Sequence, residues 1–348
     1  MKYYALLFSI ILSITTMAQN NDKLTLSDIW ASGKTYAKGV YGMRHMLDGN
    51  HFSVMESGKV IKKSYADKDF AEVIFDQNEA KGKGMKYNMG NYQISKSGDL
   101  LLIQTNTTAI YRHSKKSTYY LWNFKTESLT EVYNGKQVLY ATLSPNEDKV
   151  AFVFENNLYI QQVNDGAVTQ ITNDGERNKI LNGMTDWVYE EEFAFIRAFE
   201  WSPTGEFIAF VRFDESKVKQ YQIPVYVGAS YPDMYTYKYP KAGENNSVVN
   251  VKIYNVDANT TVDASLGTET DIYIPRIEWI NDNDLCITRL NRLQNHLELL
   301  KADAKKGKTK VFYEEKSMTY IDISDDLTFL DNGKSFIISS EQDGFNNL

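Results

Sequence analysis

The stretch Trp201-Ser202-Pro203-Thr204-Gly205, followed closely by Phe207-Ile208-Ala209-Phe210-Val211, decides the fold. A polar turn carrying Pro and Gly feeds a short run of aromatic and aliphatic residues, which reads as a turn and then a strand. The pattern recurs. Asp48-Gly49-Asn50 precedes His51-Phe52-Ser53-Val54, and Ser97-Gly98-Asp99 precedes Leu100-Leu101-Leu102-Ile103. Ser144-Pro145-Asn146 stands before Val150-Ala151-Phe152-Val153-Phe154, and weaker copies follow at Trp279–Asn283 and Phe329–Gly333. Successive copies start about 50 residues apart, with one longer gap, near the ~40–50 residues of a propeller blade.

One small four-stranded sheet cannot bury both faces alone, whereas sheets set radially bury them against their neighbours. The predicted fold class is therefore all-β, a β-propeller of four-stranded antiparallel blades. About six blades are expected, the last cut short, by counting against the repeat period. A large β-sandwich with accidental spacing is the alternative. Asn157–Val163, before the Asn164-Asp165-Gly166 turn, reads as the clearest inner hairpin.

Two stretches break the rhythm. Asp186–Phe193, within the segment 185–198, reads as a short helix inserted between strands, and residues 228–248 read as a long ordered loop. Insertions in repeat proteins tend to gather on one face, often the binding face. The helical insertion, taken as Asp186–Arg197, is expected to be the one notable helix of the propeller.

Composition narrows the function. The chain has 24 Tyr and 17 Phe against 6 Pro, which suits pleated, half-buried surfaces. A formal net charge of −7 argues against nucleic acid as a partner. Lys2, the apolar run Ala5–Ile14 and the small-x-small site Thr16-Met17-Ala18 read as a cleavable signal peptide. A run of about ten apolar residues is too short to span a bilayer as a helix. The expected product is a secreted or periplasmic protein cut after Ala18, with no stable membrane anchor. The expected layout is a signal peptide over 1–18, a segment over 19–40 outside any blade, and an incomplete propeller over 41–348. The sole cysteine, Cys286, lies in an apolar run and is expected to be buried.

No catalytic machinery is recognisable. Gly-x-Ser-x-Gly is absent, since Gly228-Ala229-Ser230-Tyr231-Pro232 fails at its last position. His45, His51, His113 and His296 show no His-x-x-x-His spacing, and no glycine loop is suited to cradling phosphate. No catalytic residue, metal or cofactor is therefore expected. Asn106-Thr107-Thr108 and Asn259-Thr260-Thr261 fit a glycosylation pattern, but turns explain both.

The most informative residues are Asp186-Trp187-Val188-Tyr189-Glu190-Glu191-Glu192-Phe193. They closely resemble the double-glutamate motif of the dipeptidyl peptidase IV family of serine exopeptidases. Tyr111-Arg112-His113-Ser114, Trp201–Phe207 and Tyr239–Asn246 resemble other stretches of that family. The resemblance implies an eight-bladed propeller capping a C-terminal α/β-hydrolase domain that supplies Ser, Asp and His, and this chain lacks that domain. It implies release of N-terminal dipeptides with Pro or Ala second. Glu191 and Glu192 would bind the substrate's free amino terminus, and Arg112 would contact the peptide carbonyl beside them. Implied partners are peptides with a free N-terminus and the hydrolase domain of a longer parent, with a homodimer left open.

Elementary chemistry agrees with those roles. An ammonium entering a cleft sheds water, and two carboxylates can bracket it with charge-assisted hydrogen bonds. Adjacent helical residues point about 100° apart, so Glu191 and Glu192 can approach one cation from two sides. Glu190 reads as a cap or ion-pair residue, and Trp187 and Tyr189 as packing that fixes the helix. Two functions remain open at this point. One is the substrate-gating, N-terminus-anchoring part of a peptidase inactive without its other half. The other is a non-catalytic propeller that binds peptides or proteins.

Overall fold

The computed structural model describes residues 23–37, 39 and 41–348, so the predicted signal peptide lies outside the described residues. The chain divides into two compact units: residues 1–54 with 62–70, and residues 55–61 with 71–348.

In the first unit, helix α1 (Leu26–Trp30) starts at a capping box, with Thr25 and Asp28 each satisfying the other's backbone N–H. Strand Arg44–His45 pairs antiparallel with the start of His51–Glu56, with Arg44 opposite Ser53. The intervening turn is held by Asp48, whose carboxylate accepts from the Asn50 and His51 amides at 3.0 Å each.

The second unit is built almost wholly of antiparallel sheet. Strands Met89–Ile94, Leu100–Ala109, Lys115–Asn123 and Ser128–Glu131 pair in chain order, as do Gln137–Leu143, Lys149–Phe154, Asn157–Gln162 and Val168–Gln170. The two groups join where Ser117 faces Val138 and Thr118 faces Gln137. Ile272–Trp279, Asp284–Asn291, His296–Asp303 and Thr309–Lys316 form another four-stranded sheet in chain order. Thr328–Leu330 pairs with Ser335–Ile337. Each repeated turn in the sequence does precede a strand.

The repeat has a hydrogen-bonding cause. Ser95, Ser144 and Ser202 each donate their amide to a carbonyl five residues on, at 2.8, 2.8 and 2.9 Å. Each hydroxyl also accepts the amide of that same residue (Leu100, Lys149 or Phe207) at 3.0 Å. Each serine thus closes its turn twice. Equivalent turns also reach each other. Glu147 accepts from the Ser97 amide and hydroxyl at 2.5 and 2.6 Å, and Asp282 does the same for Thr204 at 2.7 Å each. Sheets 50 and 78 residues apart in sequence are tied at corresponding corners.

The largest apolar cluster runs from Leu139 to Ile321 and includes Phe199, Phe207, Phe210, Phe213, Ile274 and Ile287. Cys286 lies within it, 1% exposed, and burial pushes its thiol far above the usual range. The buried cysteine expected from the sequence is what the structure contains.

The expected hairpin across Asp165-Gly166 forms, with Asn157–Gln162 paired to Lys149–Phe154 on one side and Val168–Gln170 on the other. Two expectations change. The loop expected over 228–248 contains strand Asp233–Lys238, which pairs with Gln220–Val225 so that Tyr221 faces Tyr237 and Ile223 faces Tyr235. Those cross-strand aromatic pairs hold an arm the turn residues had masked. The helical insertion is also not alone. Helix α2 (Gln77–Gly82) is capped by Asp76, whose carboxylate accepts from the Asn78 amide at 2.9 Å. Its sequence, Gln-Asn-Glu-Ala-Lys-Gly, has only Ala80 to bury and shows no helical apolar period. Among the described residues no helix is long and apolar enough to cross a membrane.

Candidate functional site

One sheet departs from chain order, and the departure makes the site. Phe207–Asp214 pairs on one side with Val248–Asn255, which pairs with Thr260–Asp263. On its other side it meets two three-residue strands, Ile180–Asn182 and Phe199–Trp201. They are the halves of one strand, interrupted opposite Val211. The Gly183 amide donates to Val211 O (3.1 Å), and the Val211 amide donates to Ala198 O (2.8 Å). The Ala198 amide closes back onto Gly183 O at 3.1 Å, so the segment 184–197 leaves and rejoins the sheet at a hydrogen-bonded neck. Gly183 has φ +71, and a Cβ there would lie 3.2–3.4 Å from Leu158, Val153 and Phe199. Glycine suits both demands.

On this neck stands helix α3 (Trp187–Phe193). Asp186 caps it, accepting from the Tyr189 amide at 3.0 Å and from the Ser247 hydroxyl at 2.6 Å. Burial raises the Asp186 carboxyl above its ordinary value, with those two donors opposing. Tyr189 is 1% exposed, and its hydroxyl accepts from the Ile274 amide at 2.9 Å. Ala194, at φ 50, ends the helix, so it stops short of the predicted Arg197. Trp187 packs on Tyr237 and Tyr239, with ring centroids 5.9 and 4.4 Å away. Trp187 and Tyr189 are packing residues, as the sequence suggested.

The three predicted site residues fall as follows. Arg112 sits at the tip between strands Leu100–Ala109 and Lys115–Asn123, and its Nε lies 3.1 Å from Glu191 Oε2. Arg112 is 73% exposed and Glu191 only 16%, so the pair opens to solvent on the arginine side. Glu192 is exposed one residue further along α3. Arg112, on a hairpin of one sheet, therefore meets Glu191 on a helix inserted in another, and Glu192 is exposed at the next position of that helix. Such an array can hold a cation between the carboxylates and a carbonyl oxygen on the arginine.

The sequence reading missed the role of Glu190. It is 1% exposed, and its Oε1 accepts from the amides of His113 and Ser114 at 2.7 and 2.8 Å. The first glutamate of the run is thus turned inwards, onto the loop that carries Arg112. The sequence sets it apart as a cap or ion-pair residue, but Asp186 takes the cap and Glu190 instead holds two distant backbone amides. The loop is braced outside by Tyr111 against Tyr237 (5.9 Å) and by the Tyr235 hydroxyl, 3.2 Å from Ile110 O.

A cavity of about 470 Å³ lies beside the neck, lined by Tyr140, Thr142, Phe195, Arg197, Glu200 and Glu278 among others. Arg197 pairs with Glu200 and donates to Thr142 Oγ1 at 3.3 Å. Arg112, Glu191 and Glu192 do not line this cavity. Elsewhere, His296, Glu298 and Glu314 bring ligand-type atoms within 4.8 Å of one another, a grouping across paired strands that residue spacing could not reveal. Arg289 lies 2.8 Å from Glu298, and Lys316 lies 2.6 Å from Glu314, so the protein's own cations already neutralise these carboxylates.

Comparison with known proteins gives the chain a family. The family described as "Dipeptidyl peptidase IV (DPP IV) N-terminal region" matches residues 95–348. Dipeptidyl aminopeptidase B of Saccharomyces cerevisiae is 30% identical over 319 residues, covering 86% of this chain and 38% of the yeast protein. The human prolyl endopeptidase FAP is 32% identical over 223 residues, covering 60% of this chain and 28% of that protein. The crystal structure of Porphyromonas gingivalis dipeptidyl peptidase 4 superposes with a TM-score of 0.85 at 37% identity, covering 93% of this chain and 46% of that one. The chain thus spans less than half the length of these relatives. With residues 95–348 matched, it belongs to the dipeptidyl peptidase IV N-terminal region family.

Proposed function

We propose that this chain is the substrate-anchoring part of a secreted or periplasmic dipeptidyl-peptidase-IV-like serine peptidase. In this reading its sheets are blades of an incomplete eight-bladed propeller spanning residues 41–348, and a C-terminal hydrolase domain supplies the nucleophile. Glu191 and Glu192 bind the free amino terminus of a peptide, and Arg112 binds the carbonyl beside it. The preferred substrates carry Pro or Ala second. The observation that carries the reading is the Arg112–Glu191 contact at 3.1 Å, with Glu192 open beside it.

The mechanism follows from charge and reach. A peptide amino terminus has a pKa near 8 and is mostly cationic at neutral pH. Glu191 is partly covered and Glu192 is open, so an arriving ammonium gains two acceptors while only one needs extensive desolvation. Anchoring that end fixes how many residues reach the nucleophile, which converts binding into a choice of bond. The test is an NMR titration of the isotopically labelled 348-residue chain with Gly-Pro amide and with its N-acetyl form. Only the free amine should perturb Arg112, Glu191 and Glu192. Equal perturbation by both would overturn the reading.

A further inference from the structure

We infer that Glu190 is a positioning residue that sets Arg112 against Glu191 by gripping the backbone of the arginine's loop. The inference rests on the proposed roles of Arg112 and Glu191 and deepens them. It starts from an oddity. Three consecutive carboxylates on a seven-residue helix repel one another, and the natural outcome is to turn all three into solvent. Glu190 does the opposite, being 1% exposed, and among the described residues no cation pairs with it. Its compensation is backbone. One oxygen accepts the successive amides of His113 and Ser114, at 2.7 and 2.8 Å, across 77 and 76 residues of sequence. A buried carboxylate held this way is committed to the loop and is not free for a ligand.

Arg112 needs that commitment. It is largely exposed, and a long side chain of this kind keeps many rotamers unless its backbone is placed. Its contact with Glu191 joins a hairpin tip to a helix that belongs to another sheet. The amide next to Arg112 is one of the two that Glu190 holds, so the grip lies one residue from the arginine's Cα. The far end of the tip is fixed as well. Ser114 is buried, its hydroxyl accepts the Tyr111 amide at 3.2 Å, and its carbonyl accepts the Ile110 amide at 2.9 Å.

Backbone strain next door points the same way. Tyr140 adopts φ +57 inside strand Gln137–Leu143, where the pairing with Lys149–Phe154 shifts register. A bulky residue enters that region only where its surroundings enforce it, and bulges commonly re-aim a side chain. Here the re-aimed side chain comes close to both Ser114 and Glu190. A strained strand and a buried charge therefore converge on the four residues Tyr111–Ser114. The helix thus divides its labour: Glu191 and Glu192 face the ligand, while Glu190 holds the third binding group in place.

The experiment uses the perdeuterated, labelled 348-residue chain and three substitutions. Glu190→Gln keeps an acceptor oxygen at the same reach. Glu190→Asp keeps the charge but draws it back by about 1.5 Å, one C–C bond. Glu190→Ala removes both. The readouts are the Arg112 Nε–Hε resonance, amide exchange at His113 and Ser114, and Gly-Pro amide affinity. In the Asp and Ala variants the Arg112 signal should move to the position it takes in Glu191→Gln, and both amides should exchange at least about tenfold faster. Glu190→Gln should hold exchange within about threefold of the parent chain. Affinity should fall equally in Glu190→Ala, Arg112→Ala and the double variant, because the two residues act as one unit. Unchanged amide exchange in Glu190→Asp, or losses that add in the double variant, would overturn the inference. Should Glu190→Ala not fold, the Asp–Gln pair carries the same contrast. If Glu191→Gln changes neither the Arg112 signal nor ligand affinity, the proposed function has failed, while the exchange data still judge the grip itself.

Discussion

The sheet of Ile272–Lys316 and the sheet centred on Phe207–Asp214 are built from the same kind of strand but put to different use. In the first, four strands of eight residues follow one another in chain order. In the second, the strand equivalent to Ile272–Trp279 is cut into Ile180–Asn182 and Phe199–Trp201, and the segment between them carries α3. The cut gives up ladder pairing opposite Val211, but the three hydrogen bonds of the neck restore most of it. The candidate site is therefore added at a point where the sheet can close behind it. A long excursion is cheap when its ends stay hydrogen-bonded, because loop-closure entropy rises only slowly with length.

The first way to break this comparison is at the ligand. If the proposed function holds, Glu191→Gln or Glu192→Gln in a parent chain carrying the hydrolase domain should lower kcat/KM for a Gly-Pro substrate by roughly two to three and a half decades. Losing one anionic partner of a desolvated cation typically costs about 3–5 kcal/mol. Gln keeps the shape, so melting temperature should barely move. A variant that melted earlier yet bound normally would make α3 a structural helix and nothing more.

The second contrast exchanges the two sheets. Ile287→Ala, at a fully buried position of the uninterrupted sheet, should destabilise the chain by about 2–4 kcal/mol and leave ligand perturbation of Arg112 unchanged. Gly183→Ala, at the neck, should cost about 2–3 kcal/mol from its left-handed φ plus crowding against Leu158, Val153 and Phe199. It should also weaken the Arg112–Glu191 contact. Gly98→Ala is the control, since Gly98 has φ +82 but nothing within 4 Å of its Cβ position, and should cost only about 1 kcal/mol. Equal melting temperatures for the two glycine variants would remove the neck from the argument.

These contrasts also explain what could be read in advance. The regular sheets were legible because their turns carry local instructions: Ser95, Ser144 and Ser202 close turns within five residues, and Asp48 within three. Asn259, at φ 52 in the turn before Thr260–Asp263, belongs to the same local grammar. Asn106, at φ 45, instead lies inside strand Leu100–Ala109 where its pairing shifts register, not in the turn its sequence suggested. The short helix beginning after Asp186, with Trp187 and Tyr189 as packing, was legible for the same reason. What escaped was every feature whose partner is distant in sequence. Glu190 acquires its meaning from His113 and Ser114, Glu314 joins His296 only through strand pairing, and the arm's second strand depends on Tyr221 facing Tyr237. Helix α2 was missed for the opposite reason, because its short polar sequence is dictated by little beyond its cap.

The smallest expected effect is one of pH, and it again separates the two sheets. Each holds one carboxylate pushed up to about 7, Glu215 following the interrupted sheet's central strand and Glu278 in the uninterrupted one. For Glu215 burial is the main cause, reinforced by the charge of Asp186; Lys238, Arg177 and the Asn178 amide oppose it. The ordinary value of 4.5 applies to the unfolded chain, so between pH 4.5 and about 7 the folded state holds a proton that the unfolded state has lost. Stability from this group is therefore complete below pH 4.5, declines as pH rises through that window, and is level above it. Gln mimics the protonated carboxyl. Glu215→Gln should match the parent chain at pH 4.5 and be more stable by about 1–2 kcal/mol at pH 8, a figure reduced from the full shift for partial solvation. Glu278 is more exposed and faces Arg276, so Glu278→Gln should gain less than about 1 kcal/mol over the same range. Denaturant melts of both variants at the two pH values measure the difference directly. A larger gain at Glu278, or a gain at Glu215 that is already present at pH 4.5, would mean that burial at the interrupted sheet is not what holds that proton.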